Sequence, residues 1–390
     1  MTVVVPPDQA RLDPALVERV RRRIGSAGGP PTPARVAAAL REEGGGLRGD
    51  VGAMLSALAS EIVGTGPLAA LLADPGVTDV LVNGPAEVWV DRGAGLERTS
   101  IRFADETALR RLAQRLAAPT GRRLDDAQPW VDARLADGSR LHAVLPPLSP
   151  GGTCLSLRVP RRTVFSMTDL VAARTVPPDG ATLLTALVRA RVAFVVTGGT
   201  GTGKTTLLSA LLSLVDPAER LLLVEDAAEL RPDAPHVVRL EARPPNVEGA
   251  GEVTLRDLVR QALRMRPDRL VVGEVRGSEV VDLLAALNTG HEGGCGTLHA
   301  NSAADVPARF EALAATAALG REALHSQLAA ALRVTVHLVR QGGVRRVSEI
   351  CVLYRGGDGY VRAEPAWTWD GRTSTGSPDA RAGELTALLR

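Results

Sequence analysis

The first half of the chain combines helical spacing of apolar residues with period-two alternation. Val51–Leu72 and Ala104–Ala117 have the helical spacing, and Trp130–Leu145 alternates around the turn Asp137-Gly138. Alternation around an Asp-Gly turn is typical of an antiparallel hairpin with one buried face. We therefore expect an α+β domain with an antiparallel sheet over residues 51–160.

From about residue 179 the pattern changes, and apolar strands alternate with amphipathic helices. The predicted strands are Ala193–Thr197, Arg220–Glu225, His236–Leu240, Arg269–Val275 and Gly296–His299. The predicted helices are Lys204–Val215, Thr254–Met265, Ser278–Leu287 and Ala303–Ala315. Strand-like alternation returns over Val334–Asp370. This order predicts a parallel sheet wrapped by helices, over residues 179–370.

The remaining segments have the composition of connections. Residues 1–50 are rich in Pro, Gly and Arg, and we expect a flexible arm with short helices near Pro14–Ile24 and Pro33–Glu43. Residues 161–178 have prolines near both ends and are expected to link the two domains. Residues 371–390 are expected to form a loose tail with a short helix.

Composition narrows the class of protein. The chain has 390 residues, of which 45% are hydrophobic and 23% charged, as in folded domains. A formal charge of +2 and 3% aromatic residues argue against a nucleic-acid-binding surface. The apolar run Leu183–Val196 is interrupted by Arg189 and Arg191 and is too short to span a bilayer. With no leader pattern and three scattered cysteines, we expect a cytoplasmic location.

One segment, residues 198–205, fits the phosphate-loop pattern G-x-x-x-x-G-K-[ST] between a buried strand and a helix. Its glycines allow backbone N–H groups to surround a polyphosphate at the helix N-terminus. Lys204 is the only lysine among 46 basic residues, so this position requires an ammonium group. We expect Lys204 to reach the β- and γ-phosphates and Thr205 to bind Mg²⁺. The predicted nucleotide-binding residues of this segment are Gly198, Gly199, Thr200, Gly201, Thr202, Gly203, Lys204, Thr205 and Thr206.

Two apolar strands end in carboxylates at the edge where such sheets bind ligands. Glu225 follows four apolar residues, with Glu229 one turn further on, and Glu274 lies near the C-terminal end of the second strand. A nucleotide hydrolase needs one carboxylate to organise Mg²⁺ and another to polarise the attacking water. Glu225 and Glu274 are therefore the predicted catalytic carboxylates, and Glu229 is a candidate nucleotide contact.

The segment Thr289–Asn301 contains two of the six histidines, His291 and His299. Together with Cys295 they have a spacing that a zinc triad could use, but the intervening glycines break a helix and no fourth ligand is evident. A histidine that senses the γ-phosphate is the preferred interpretation, and a core histidine is the plain alternative.

The phosphate loop, the Glu225–Glu229 stretch, the strand end at Glu274 and the Thr289–Asn301 segment follow one another in a fixed order. In this order they resemble the Walker A, Asp box, Walker B and His box of the secretion-superfamily ATPases. Those proteins are hexameric motors of type II and type IV secretion, pili and conjugation. Arg239–Asn246 and Leu263–Arg269 are further similar to the branch that assembles tight-adherence (Flp-type) pili. The resemblance covers about residues 55–355 and lacks the tetracysteine zinc module of several type II relatives. It implies a PAS-like N-terminal domain followed by a RecA-like P-loop domain.

The resemblance also implies roles and partners. Glu225 would activate water, Glu274 would support Mg²⁺, and His299, with His291 as the second choice, would sense the γ-phosphate. Arginines from the other domain or a neighbouring protomer would reach the phosphates, and the candidates are Arg158, Arg243 and Arg260. The cofactors would be ATP and Mg²⁺. The partners would be five further copies in a hexamer and an integral-membrane platform protein, at the inner face of the cytoplasmic membrane.

Three other functions stay open at this stage. A conjugative, DNA-transferring motor would use the same fold, although the neutral charge gives it no support. A small-molecule kinase would also use a phosphate loop, but no lid-like insert is evident and a separate α+β domain precedes the loop. A nucleotide-dependent scaffold would bind ATP and hydrolyse little of it.

Overall fold

A computed structural model describes residues 14–26, 33–43, 64–93, 95–159, 164–245 and 249–390. The chain divides into two compact units, Met1–Arg162 and Thr163–Arg390. Most of the predicted helix Val51–Leu72 lies outside the described residues. None of the helices in the described ranges combines the length and apolar composition needed to cross a bilayer.

Among its described residues, the first unit contains four α-helices and one antiparallel sheet. The helices are α1 (Pro14–Ser26), α2 (Pro33–Glu43), α3 (Ala69–Ala73) and α4 (Glu106–Ala117). The strands are β1 (Asp79–Asn83), β2 (Val88–Asp91), β3 (Leu96–Arg98), β4 (Trp130–Arg134), β5 (Arg140–Val144) and β6 (Cys154–Arg158). Their order in the sheet is β3-β2-β1-β6-β5-β4, and every pairing is antiparallel.

Local sequence explains these elements. The predicted hairpin is β4 and β5, which pair Trp130 with Val144. Alternate residues of β4, Val131 and Ala133, are buried, as the period-two pattern predicted. Helix α4 begins two residues after the predicted start, because the side chain of Asp105 caps it by accepting from Ala108 N.

The second unit contains eight helices and nine strands among its described residues. The helices are α5 (Met167–Ala172), α6 (Pro178–Arg189), α7 (Lys204–Leu212), α8 (Leu255–Ala262), α9 (Glu279–Leu287), α10 (Val306–Ala315), α11 (Arg321–Ala331) and α12 (Ala382–Leu388). The strands are β7 (Phe194–Gly198), β8 (Leu221–Glu225), β9 (Val237–Glu241), β10 (Arg269–Val275), β11 (Cys295–Leu298), β12 (Val334–Gln341), β13 (Val344–Arg355), β14 (Val361–Thr368) and β15 (Ser377–Pro378).

The sheet of the second unit has the order β15-β14-β13-β12-β7-β11-β10-β8-β9. The six strands from β12 to β9 are parallel, and β13 to β15 continue the sheet with antiparallel pairings. Both faces are covered by apolar residues: Leu221 and Leu223 belong to one cluster, and Leu222 and Val224 to the other. A strand buried on both faces is why β8 is a continuous apolar run. The parallel order brings the carboxyl ends of β7, β11, β10 and β8 to one edge.

Two segments differ from the connections that the sequence predicted. Within residues 161–178, helix α5 has an N-terminal capping box formed by Ser166 and Asp169, and its Leu170 is buried in the core. Residues 371–390 contain the expected short helix, α12, but it is packed against the unit and buries Leu385 in the same cluster. In residues 161–178, the prolines near both ends obscured the helix. Helices α6 and α11 were not predicted.

Candidate active site

The phosphate-loop segment joins β7 to α7 in a conformation that requires glycine. Gly198 has a φ of 145°, and a Cβ atom there would lie 2.4 Å from the carbonyl oxygen of Leu338. Gly203, which precedes helix α7, has a φ of 97°. Residues other than glycine rarely adopt such φ values. The loop therefore keeps backbone N–H groups and the start of α7 available at the carboxyl edge of the sheet.

Lys204 points its ammonium group into this loop. Nζ donates hydrogen bonds to the carbonyl oxygens of Gly198, at 3.0 Å, and Gly199, at 2.9 Å. It also lies 3.4 Å from Nδ1 of His299. Burial lowers the pKa of Lys204, and the negative charge of Glu274 opposes that shift. The loop thus holds a buried cation beside the histidine that follows β11.

Glu274 connects that histidine to an arginine. Its Oε1 lies 2.8 Å from Nε2 of His299, and its Oε2 accepts a short hydrogen bond from Arg276. Arg276 also lies 3.7 Å from Asp226, which follows β8. Burial, followed by the charge of Lys204, lowers the pKa of His299, so the imidazole is neutral at pH 7.

Glu225 is buried at the end of β8 with one oxygen satisfied and one without a partner. Oε1 accepts from the backbone N–H groups of Glu229, at 2.9 Å, and Leu230, at 2.8 Å, while Oε2 is buried without a hydrogen bond. Burial raises its pKa to about 7. A carboxylate with a pKa near neutrality and a free oxygen has the properties of a general base. Glu229 itself contributes its backbone N–H here, and its side chain is exposed.

The structure does not bring every predicted site residue to this edge. His291 precedes β11 and His299 follows it, so the two lie toward opposite ends of a strand that is about 13 Å long. His291 instead lies 3.1 Å from the carbonyl oxygen of Ala286. The histidines and the buried Cys295 therefore do not converge as a zinc triad would.

Two of the three candidate arginines, Arg243 and Arg260, have other partners within the second unit. Arg243 donates from Nε to the carbonyl oxygen of Gly251 at 2.7 Å. Arg260 pairs with Asp282 of helix α9 at 2.8 Å. Arg158 is the last residue of β6 in the first unit and is exposed. Within the described part of the second unit, neither Arg243 nor Arg260 is bonded to the phosphate loop, so a role for either at the phosphates stays a proposal.

Sequence reasoning missed three residues that the structure places at the loop. They are Arg276, Arg345, which donates from Nε to Gly201 O at 2.8 Å, and His337, whose Nδ1 lies 2.9 Å from Thr197 Oγ1. Arg276 could have been found from the sequence, because it stands only two residues after the predicted carboxylate Glu274. Arg345 is 144 residues from Gly201, and no spacing in the sequence connects them.

The donors present suit Mg²⁺ together with a nucleotide. The Thr205 hydroxyl and the Glu274 carboxylate offer the oxygen ligands that Mg²⁺ prefers. The described residues contain no group of three or more His, Cys, Asp or Glu side chains arranged to hold a metal alone. Such a site would complete its ligand set from phosphate oxygens and water, as nucleotide-dependent Mg²⁺ sites do.

A phosphate loop on a parallel sheet, followed by carboxylates at two neighbouring strand ends, defines a P-loop nucleoside triphosphatase. The family described as type II/IV secretion system protein matches residues 61–352. A Mycobacterium tuberculosis protein whose name describes conjugal transfer is 60% identical over 328 residues, covering 82% of this chain and 93% of that protein. The conjugal transfer protein TrbB of Rhizobium radiobacter is 30% identical over 290 residues, covering 73% and 85%.

The chain therefore belongs to the type II/IV secretion system family and is a secretion-superfamily ATPase. Solved structures share the fold. The pilus retraction motor PilT with bound ADP has a TM-score of 0.54 at 20% identity, covering 82% of this chain and 86% of PilT. The Legionella pneumophila ATPase DotB has a TM-score of 0.51 at 21% identity, covering 74% and 80%. The predicted fold class, a RecA-like domain after an α+β domain, is confirmed.

Proposed function

We propose that the chain is a hexameric, Mg²⁺-dependent ATPase that powers pilus assembly or protein secretion by acting on an integral-membrane platform protein. The observation that carries the catalytic part is Glu225, whose Oε2 is buried and unpaired at the carboxyl edge of the sheet. An unpaired buried carboxylate oxygen is costly, and catalytic sites are where such a cost is retained.

Each residue at the edge has a distinct task in this proposal. The loop N–H groups and Lys204 bind the β- and γ-phosphates, and Lys204 exchanges its carbonyl partners for phosphate oxygens. Glu225 takes the proton from the attacking water. His299, which lies beside Lys204 and Glu274, contacts the γ-phosphate and reports its loss. Thr205 and Glu274 would hold Mg²⁺, partly through water, and the ion would neutralise charge on the phosphates.

The remaining cations come from outside this edge. Arg158, Arg243 and Arg260 stay candidates for reaching the phosphates from the other domain or from a neighbouring protomer in the assembled ring. Arg276 already stands at the edge and stabilises Glu274. A site completed between protomers makes hydrolysis depend on assembly, which couples ATP turnover to movement of the ring. Contact with the membrane would then be peripheral and mediated by the platform protein.

A conjugative role is the second candidate, because relatives in Mycobacterium tuberculosis and Rhizobium radiobacter have names that describe conjugal transfer. A motor that itself grips DNA would need a positive channel. The formal charge of +2 does not supply one by composition. A conjugative apparatus in which the ring moves protein components fits the chain equally well.

The first test is steady-state ATPase activity against protein concentration, for the wild type and Lys204→Ala. We expect specific activity to rise with concentration and to be abolished in the variant. Mass measurement with a non-hydrolysable ATP analogue should show six copies. Activity that is independent of concentration, together with a monomer at micromolar protein and nucleotide, would contradict the ring motor and favour a self-contained enzyme such as a kinase.

A further inference from the structure

Strand β12 extends past the end of β7 and brings a hairpin to the phosphate loop. Leu338 of β12 lies opposite Gly198, which is the last residue of β7. Strand β12 continues for three more residues to Gln341, which is about 10 Å at the usual rise per residue. Gly342 and Gly343 then turn the chain into β13. The tip of this hairpin therefore lies beside the phosphate loop, past the carboxyl edge of the parallel strands.

Two arginines of the hairpin lie alongside the loop. Arg340 and Arg345 are directly opposite each other in the pairing of β12 with β13. Nε of Arg345 donates to the carbonyl oxygen of Gly201 at 2.8 Å, and a Cβ atom on Gly203 would stand 3.3 Å from Cδ of Arg345. A Cβ atom on Gly201 would stand 3.7 Å from Nη1 of Arg340. One pair of strands thus brings two cationic side chains to the same part of the loop.

These two positive charges are placed where they repel each other. Like charges at directly opposite positions of an antiparallel pair are destabilising. Arg340 is exposed, and in the part of the chain that the structure describes no carboxylate forms an ion pair with its guanidinium group. An anion bound beside the loop would offset the charge of both arginines, and a phosphate loop is a site that binds such an anion.

The hairpin and the proposed catalytic groups lie on opposite sides of β7. In the sheet, β12 is the neighbour of β7 on one side, and β11, β10 and β8 follow in turn on the other. His299 follows β11, Glu274 lies in β10 and Glu225 ends β8. A nucleotide whose γ-phosphate points to these three residues would have its nucleoside end directed away from them. The hairpin tip stands on that side of the loop.

We propose that Arg340 is a nucleotide-binding residue, which contacts the phosphates that ADP and ATP share, on the nucleoside side of the phosphate loop. This inference rests on the proposed ATPase function and adds a binding residue to it. A guanidinium group offers five N–H donors in a plane, which suits phosphate oxygens. Arg345, bonded to the Gly201 carbonyl, keeps the hairpin against the loop. Because the contact is to shared phosphates, it strengthens the binding of ADP and ATP by the same factor.

The test is isothermal titration calorimetry with ADP and with a non-hydrolysable ATP analogue, for the wild type and Arg340→Gln. Glutamine keeps a polar side chain and removes the charge. We expect the dissociation constants of both nucleotides to rise by the same factor, about three- to tenfold, which is the usual effect of losing one hydrogen bond at such a site. Arg340→Lys keeps the positive charge without the planar donors, so it should recover part of the affinity.

Arg333 supplies the matched control, because it is an exposed arginine at the other end of the same strand. It directly precedes β12, and the length of the strand separates it from Arg340 by about 20 Å. Arg333→Gln removes the same charge, so both dissociation constants should stay at the wild-type values. An equal loss of affinity in Arg333→Gln and Arg340→Gln would show that only the overall charge matters, and that result overturns the inference.

Two other results also overturn it. Wild-type affinity of Arg340→Gln for both nucleotides would show that this side chain does not contact the ligand. Weaker binding of the ATP analogue alone would place Arg340 at the γ-phosphate, on the side assigned to the catalytic groups. The proposed function is judged separately, by ATP hydrolysis that Lys204→Ala removes. If that hydrolysis is present and the Arg340 variants bind both nucleotides normally, this inference alone fails.

Discussion

Gly273 lies beside Glu225 with no room for a side chain between them. A Cβ atom on Gly273 would stand 2.6 Å from Cγ of Glu225 and 3.1 Å from its Oε1. The pairing of β10 with β8 sets this proximity, since Val272 is opposite Val224. The glycine before Glu274 therefore leaves space for the side chain of Glu225 on the neighbouring strand.

Gly273→Ala should displace the Glu225 carboxylate. We expect kcat to fall about tenfold or more, because the base leaves its position, and the free energy of unfolding to drop by about 1–3 kcal/mol from overpacking. Steady-state kinetics and urea unfolding measure the two effects. Gly383→Ala is the control, since a Cβ atom there meets nothing within 4 Å. If Gly273→Ala and Gly383→Ala had the same kcat, crowding of Glu225 by a side chain at position 273 would not affect turnover.

Glu225→Gln should abolish turnover and change how stability depends on pH. The pKa of Glu225 rises from an ordinary value of 4.5 to about 7 in the folded state, so folding favours its protonated form. That contribution is present below pH 4.5 and is lost as the pH rises through 7. At pH 8 the variant should therefore be more stable than the wild type, by up to about 3 kcal/mol.

The measurement for Glu225→Gln is urea unfolding at pH 5 and at pH 8. The stability advantage of the variant should shrink as the pH falls from 8 to 5. A difference that is the same at both pH values would mean that Glu225 is ionised in the folded protein without cost. Wild-type ATPase turnover in the variant would remove Glu225 from the role of general base.

His299→Ala and His291→Ala should separate the two histidines. His299 is in contact with Lys204 and Glu274, so its loss should lower kcat about a hundredfold while ATP still binds. His291 lies toward the other end of β11, so His291→Ala should leave the rate of ATP hydrolysis within about twofold of the wild type in the same assay. A larger loss for His291→Ala than for His299→Ala would reverse the assignment of the sensor.

The sequence predicts this site well where a motif is local and poorly where the sheet creates the contact. The phosphate loop, Glu225 and Glu274 follow apolar runs directly, and parallel strands bring their ends to one edge by necessity. His291 and His299 share one short segment, and only the position of β11 between them decides which faces the loop. His337 is 140 residues from Thr197, and the register of β12 with β7 alone brings them together.

Arg345 offers a prediction that no local pattern suggested. Its Nε donates to the carbonyl oxygen of Gly201 at 2.8 Å. Since N–H groups rather than carbonyls meet the phosphates, this bond holds the loop without occupying its nucleotide-binding groups. Arg345→Gln should raise KM for ATP about three- to tenfold, the effect of losing one such hydrogen bond, with little change in kcat.

Arg355 provides the control for Arg345, because it makes the same kind of hydrogen bond away from the phosphate loop. Its Nε donates to the carbonyl oxygen of Gly359 at 2.8 Å, between β13 and β14. Arg355→Gln removes an arginine and a hydrogen bond to a glycine carbonyl without touching the loop, so KM for ATP should stay at the wild-type value. If both variants raise KM equally, general loss of positive charge explains the effect. A change confined to Arg345→Gln shows that β13 holds the phosphate loop in its binding conformation.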